Sequence, residues 1–215
     1  MSADPVEHPR AEARRAQILA AAADCFRSHG FHGASIAQIS KGAAMSPGHI
    51  YHYFENKEAI IAAIVAQDLE RLLTLSAEIR SASNVKEAML ERVAEGVEDN
   101  LDPRTAGLKL EIVAEASRNP RVADIVRSAD RACCHSLHLT LRDMRRASGH
   151  EDDETTIAAM VEVLAAMFEG LMCRSIRNPA LDRTTVVRLF QGAVRDLINQ
   201  SPQRDARDPL NSSLT

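Results

Sequence analysis

Aromatic side chains are scarce in this chain of 215 residues, which has no tryptophan, two tyrosines and five phenylalanines. A binding site built by stacking flat rings is therefore poorly supplied. Runs of β-branched residues with period two are missing, which excludes a sheet of ordinary size. The sequence holds no G-x-S-x-G, no phosphate-binding glycine loop and no H-E-x-x-H, so the common hydrolytic and nucleotide-dependent chemistries find no motif. No cofactor signature is present either. Cys25, Cys133, Cys134 and Cys173 include no C-x-x-C pair, which argues against a disulfide framework or a zinc ribbon. No apolar run approaches the ~20 residues that a bilayer-spanning helix needs. The opening M-S-A-D-P-V-E-H-P-R is polar and lacks a signal-peptide core, so the expected location is the cytoplasm, with no membrane contact.

Positive charge is also in short supply. The net charge is −4, but it is unevenly divided. Residues 1 to 57 carry six Lys or Arg against five Asp or Glu, together with five of the eight histidines. The remaining chain carries 20 basic and 25 acidic residues. Such a split keeps non-specific affinity for nucleic acid low, because that affinity scales with the number of phosphates neutralised.

What the chain does have is helix. Ala, Leu, Arg and Glu dominate, and the punctuation is regular. A first helix is predicted over Pro9 to His29, with Gly30 as its stop and Arg10, Arg14 and Arg15 at its exposed start. A second runs from the cap Ser35 to Lys41, a third from Ser46 to Phe54, and a fourth from Asn56 to Ile79. Further helices are predicted at 84–101, 103–118, 120–148, 153–177 and 182–199, bounded by Asx-Pro and Asp signals. Residues 201–215 have the composition of a disordered tail.

The stretch Ser35 to Phe54, S-I-A-Q-I-S-K-G-A-A-M-S-P-G-H-I-Y-H-Y-F, carries most of the functional information. It reads as two short helices joined by a tight turn. Ser46 is an N-cap and Pro47 sits at the first helical position, where its missing N–H costs nothing. The residues that follow, Gly48, His49, Tyr51, His52 and Tyr53, are too polar and aromatic for a core helix. That is the pattern of a helix-turn-helix DNA reader.

From R-R-A-Q-I-L-A-A-A-A-D-C-F-R-S-H-G-F through I-Y-H-Y-F-E-N-K-E-A-I-I the sequence resembles the TetR family of bacterial transcriptional regulators. The resemblance implies an all-α fold of about nine helices. A three-helix DNA-binding head would occupy residues 12–72, with the motif at 35–54, and a helical ligand-binding and dimerisation body residues 73–200. It implies a double-stranded, pseudo-palindromic operator and a small-molecule inducer. Expected DNA contacts are Ser35, Ser46, Gly48, His49, Tyr51, His52, Tyr53 and Lys57. Of these, His49 suits a base edge, and Ser35 and Lys57 match the family's phosphate-contact positions. Where the family usually has Gly in the turn before the recognition helix, this chain has Ala44. If φ is positive there, Ala costs about 1 kcal/mol, unless Gly42 takes up the strain.

The helices at 153–177 and 182–199 are apolar around much of their circumference, which predicts a homodimer through a four-helix interface. For the inducer, Met144, Met167, Phe168 and Met172 would make an apolar lining and Glu111, Glu115, His135 and His138 would orient the ligand. An apolar or amphipathic inducer is expected, controlling efflux or catabolic and lipid genes. Cys133, Cys134 and His138 offer an alternative, a metal- or thiol-sensing regulator, although no complete metal site is apparent. An all-helical enzyme with a helix-turn-helix-like pair is the more distant reading.

Overall fold

The computed structural model describes residues 7–150 and 153–200; the tail at 201–215 lies outside them. The described residues form nine helices and no strand: α1 (Glu7–Gly33), α2 (Ile36–Gly42), α3 (Pro47–Tyr53), α4 (Lys57–Ser81), α5 (Val85–Leu101), α6 (Pro103–Ala116), α7 (Pro120–Ala147), α8 (Glu154–Arg177) and α9 (Arg183–Asn199). Their starts follow from local chemistry. Ser35, Ser46, Asn56, Asn84, Asp102, Asn119, Asp153 and Asp182 each accept a hydrogen bond from a backbone N–H two or three residues on. At Asp102 and Asp182 the Thr105 and Thr185 hydroxyls and N–H groups hold the carboxyl below its usual range. Gly30 breaks α1 as expected: its φ of 69° and ψ of 167° leave helical space, and a last turn follows the kink.

Two apolar clusters form the interior. The first joins Ile18, Ala22 and Phe26 of α1, Ile39 of α2, Ile50 of α3, Phe54, and Ile60 and Ile61 of α4. It does not stop at the head, because Ile112 of α6 and Val122 of α7 are buried in the same cluster. The head is thus seated on α6 and α7 as well as on its own helices. The second cluster gathers Val93 and Val97 of α5, Leu141 and Met144 of α7, Ile157 and Leu164 of α8, and Val194 and Ile198 of α9. Arg145, buried among them, donates to the carbonyls of Ile198 and Gln200 at 2.6 and 2.7 Å and so ties down the end of α9.

The second cluster accounts for most residues expected to line an inducer. Met144 is buried in it and Met167 and Phe168 pack against it. Met172 is buried too. Phe168 lies 4.9 Å from Phe190, and a Cβ on Gly96 would come within 2.9 Å of its ring. A glycine on α5 seats this ring between helices, so Phe168 closes the core where a ligand wall was expected.

One prediction of sequence length and composition needs correcting. Within α8 an 18-residue window is long and apolar enough to cross a membrane, by length and composition alone. Glu162 and Glu169 interrupt the run in sequence, which hides it, but both are exposed on the helix surface.

Candidate nucleic-acid interface

The α2–turn–α3 unit is held from below by apolar side chains and locked at its turn by backbone bonds. Ile39, Ile50 and Phe54 are buried beneath it. Ala43 N–H donates to the Ile39 carbonyl at 2.8 Å and Met45 N–H to the Ser40 carbonyl at 2.9 Å. Between them Ala44 stands at φ 50°, the left-handed region that disfavours a Cβ. Gly42 does not relieve this strain. It lies within α2, where its missing side chain lets α2 approach α1; a Cβ there would meet Ala21 Cβ at 3.3 Å. The side chain of Gln17, on α1, donates to the Ala43 carbonyl at 2.8 Å and braces the turn from the other side. Ala44→Gly is therefore expected to raise the unfolding free energy by up to about 1 kcal/mol in urea titrations; a loss of stability would show the strain to be absent.

α3 then presents a polar, aromatic surface. Ser46, Gly48, His49, Tyr51 and His52 are exposed, and Tyr53 is half-buried. His49, His52 and Tyr53 form one group of rings, with centroids 5.2 to 6.4 Å apart. Tyr51 stands by itself, 56% exposed, which is unusual for so large a ring without a ligand to cover it. Ser46 Oγ accepts the His49 N–H at 3.2 Å, so the cap and the outward face share one residue. A Cβ on Gly48 would meet nothing within 4 Å, leaving open space on the outer face of the first turn. At the start of α2, Ser35 and Gln38 complete a reciprocal capping box, so any phosphate there meets a pre-ordered end.

Lys57 is placed differently from the expectation. Its ammonium donates to the carbonyls of Phe31 and Ala34 at 2.6 and 2.8 Å and stands 4.5 Å from the Phe31 ring centroid. Two of its three N–H groups thus satisfy carbonyls at the end of α1. The physical reason is the end of α1 at Gly33, beyond which no helical N–H returns to those carbonyls. Positive charge near the motif comes instead from residues outside the expected set. Lys41 is exposed in the last turn of α2, and the Arg15 guanidinium lies 4.5 Å over the Phe54 ring. Arg14 is exposed one residue away and bonds Gln17.

The polar residues assigned to a ligand scatter. Glu111 and Glu115 do not face a body cavity: Glu111 accepts the Phe31 N–H at 2.8 Å, and Glu115 is fully buried beside His32 and Arg118. His135 is exposed, and His138 Nε2 lies 2.6 Å from Glu154 at the start of α8. A cavity of about 380 Å³ opens between the end of α4, the start of α5 and the end of α7, lined by Arg80, Val85, Thr140 and Met144 among others. Met144 is the one expected ligand residue on it. A second hollow of about 560 Å³, bordered by Glu70, Arg71, Glu78 and Arg92, is strongly charged. The cysteine cluster carries little reactivity. Burial and the neighbouring Asp130 carboxylate push the Cys134 thiol up to about 12 and raise Cys133 as well. Among the described residues no group of three or more His, Cys, Asp and Glu stands close enough to hold a metal ion.

The geometry is that of a helix-turn-helix on a helical body, and two family models match it. Residues 18–64 match the bacterial regulatory proteins of the tetR family, and residues 85–199 match the C-terminal part of BetI-type transcriptional repressors. The chain belongs to the TetR family. It is 34% identical over 146 residues to the transcriptional regulator UidR of Escherichia coli, covering 68% of this chain and 74% of that one. Salmonella enterica GusR shares the fold with a TM-score of 0.68 at 30% identity, covering 85% of this chain and 96% of GusR. Bacillus subtilis FadR, solved with stearoyl-CoA, superposes with a TM-score of 0.71 at 16% identity, covering 85% and 97%. The TetR-family chain described here is accordingly a helix-turn-helix transcriptional repressor and not an enzyme.

Proposed function

We propose that this TetR-family protein holds a pseudo-palindromic operator as a homodimer and releases it when a small molecule enters the body. The observation that carries the reading is the sidedness of α3, which buries Ile50 completely while leaving His49, Tyr51 and His52 in solvent. In a major groove, His49 meets base edges, and Tyr51, His52 and the cap Ser46 meet phosphate or sugar. Ser35 contacts phosphate from the start of α2. Lys41, Arg14 and Arg15 supply the charge that Lys57 spends inside the head. Tyr51→Ala and His49→Ala should each weaken operator binding by roughly tenfold to a hundredfold, as the loss of one specific contact does. Thermal stability should hold within about 0.5 kcal/mol, since both side chains are exposed. Anisotropy titrations on a selected operator check this, and affinity unchanged in both variants would sink the assignment.

The dimer is supported by the outer face of α8 and α9. Ala159, Val163, Ala166 and Gly170 lie exposed at helical spacing, small enough for a partner helix to come close. Val163, Ile176 and Leu189 are 47, 54 and 60% exposed. Glu169 and Arg174, also exposed on α8, have no ion-pair partner among the described residues. A second copy fits this face better than lipid does, because two exposed charges within it would be costly in hydrocarbon.

The inducer seat that fits best is the 380 Å³ cavity, with Met144 and Val85 as its apolar side and Arg80 and Thr140 as its polar side. Such a lining suits an amphipathic molecule, and the stearoyl-CoA in the FadR structure is one of that kind. Occupation there bears on the far end of α4, whose near end lies under the head, and so shifts the spacing of the two α3 helices. By linkage, an inducer that bound free and operator-bound dimer equally well would contradict this. The site of action is the cytoplasm, where the operator is.

A further inference from the structure

Arg80, in the last turn of α4, is anchored at the 380 Å³ cavity by neutral oxygens. Its Nη1 donates to the Ser136 hydroxyl at 3.0 Å, the Thr140 hydroxyl at 3.1 Å and the Ser136 carbonyl at 3.4 Å, all on α7. The Thr140 hydroxyl spends its own proton on the Ser136 carbonyl at 3.0 Å, so its oxygen can only accept from the arginine. Ser136 and Thr140 are buried, which fixes both acceptors and with them the guanidinium. No carboxylate lies within ion-pair distance of Arg80 among the described residues, whereas Arg71, Arg92 and Arg118 each lie beside one. With Nη1 committed, the edge formed by Nη2 and Nε has no protein partner among the described residues. Such an edge is the planar fork that takes a carboxylate or a phosphate with two parallel hydrogen bonds.

The rest of the lining agrees in sign. Lys86, in the first turn of α5, also lines the cavity and is held by a neutral oxygen, Asn199 Oδ1 at 2.5 Å. The carboxylate of the lining, Asp143, is exposed and lies 3.5 Å from Arg142 Nε. Two cations against one carboxylate that already has a cationic neighbour make a locally positive recess. It stands in a body where residues 58–215 carry 20 basic and 25 acidic side chains. Val85, Met144 and Ala147 supply the apolar wall. The lining has no aromatic ring, so a quaternary ammonium finds no π face there. At about 380 Å³ the cavity lies near the lower end of small-molecule sites, which suits a compact ligand. We infer that Arg80 is the anion-recognising residue of this cavity and that its ligand is an acidic amphiphile, an aliphatic body ending in a carboxylate or phosphate. The anion pairs with Nη2 and Nε, Lys86 adds a second positive charge, and the aliphatic body lies against Val85 and Met144. This rests on the reading of the cavity as the inducer's seat, and it narrows the inducer from amphipathic molecules at large to anionic ones.

The test is isothermal titration of the full-length protein with probes of one chain length: octanoate, octyl phosphate, octanol and octyltrimethylammonium. One of the two acidic probes should bind wild type at least about tenfold more tightly than the neutral and cationic ones, and the tighter acid names the head group. Arg80→Met keeps the aliphatic stem and loses the fork. It should weaken the acidic probe by roughly tenfold to a hundredfold, the worth of one or two charge-assisted hydrogen bonds, and leave octanol unchanged. Arg80→Lys should recover part of the loss, because the charge returns without the fork. Should Arg80→Met fail to fold, Arg80→Lys and Lys86→Gln provide the comparison, and each should weaken the acidic probe severalfold. Wild type that binds neither acidic probe, or binds all the probes alike, overturns the inference, as does acid binding undiminished in the folded variants. Operator titration with and without the acidic probe separates the two readings. Acid bound through Arg80 with operator affinity unchanged leaves the anion site standing and removes the cavity as the inducer's seat.

Discussion

Lys57→Ala should lower the unfolding free energy by about 2–4 kcal/mol, the sum of two charge-assisted hydrogen bonds to carbonyls that no other group replaces. The Phe31 carbonyl lies in the last turn of α1 and the Ala34 carbonyl just past it, and Lys57 reaches both. The ammonium over the Phe31 ring adds about 0.5–1 kcal/mol more. Urea unfolding of wild type, Lys57→Ala and Lys57→Met separates the contributions, because methionine keeps the aliphatic packing and loses the donors. Both variants should be destabilised, with alanine the worse. Where folded protein remains, the slope of log affinity for operator against log salt should match wild type, if the two carbonyl hydrogen bonds keep this ammonium away from phosphate. A fully stable Lys57→Ala protein whose salt slope falls by about one would restore the phosphate-contact role expected from the family pattern.

The second large effect lies at the opposite end of the molecule. Leu189→Glu should convert the dimer to monomer and reduce operator affinity by about a hundredfold or more. Leu189 is the most exposed large apolar side chain described, so its replacement leaves the folded monomer nearly undisturbed. In the proposed interface it is buried twice, once per copy. Each loss then costs about 1.5–3 kcal/mol of transfer energy, with a carboxylate desolvation on top. Affinity falls with it because two linked heads bind a two-part operator with a multivalent gain of roughly 10²–10⁴ that a monomer forfeits. Sedimentation velocity and operator titration on the same sample check both halves. A variant that remains dimeric at micromolar concentration would move the interface elsewhere.

These expectations differ in how far the sequence foresaw them. The reading of α3 as the DNA-facing helix and of α8 and α9 as the dimer face came from residue patterns within single helices. The placement of Lys57 did not. A lysine opening α4 after Asn56 looks like a free cation near DNA, and nothing local reports that the carbonyls at 31 and 34 need a donor. The inducer residues are ambiguous for a related reason. Met144, Met167, Phe168 and Met172 have the right chemistry for a pocket and for a core alike, and only packing separates them: Phe168 is seated against Gly96, while Met144 borders the cavity. Glu111 and Glu115 are similarly ambiguous in sequence, since a carboxylate in an amphipathic helix usually faces water.

Bonds that close over three or four residues are legible along the chain alone. Eight helix starts, the Ser35–Gln38 capping box, the Gly30 break and the outward polar face of α3 are all set by neighbours along the chain. Contacts that span tens of residues emerge only on packing: Lys57 on α1, Glu111 on the Phe31 N–H 80 residues away, Glu115 under His32, and the left-handed strain that stays on Ala44 because Gly42 is needed where α2 crosses α1. Those contacts depend on which unsatisfied backbone groups and apolar faces happen to meet. That is a property of the packed chain, and no local pattern encodes it.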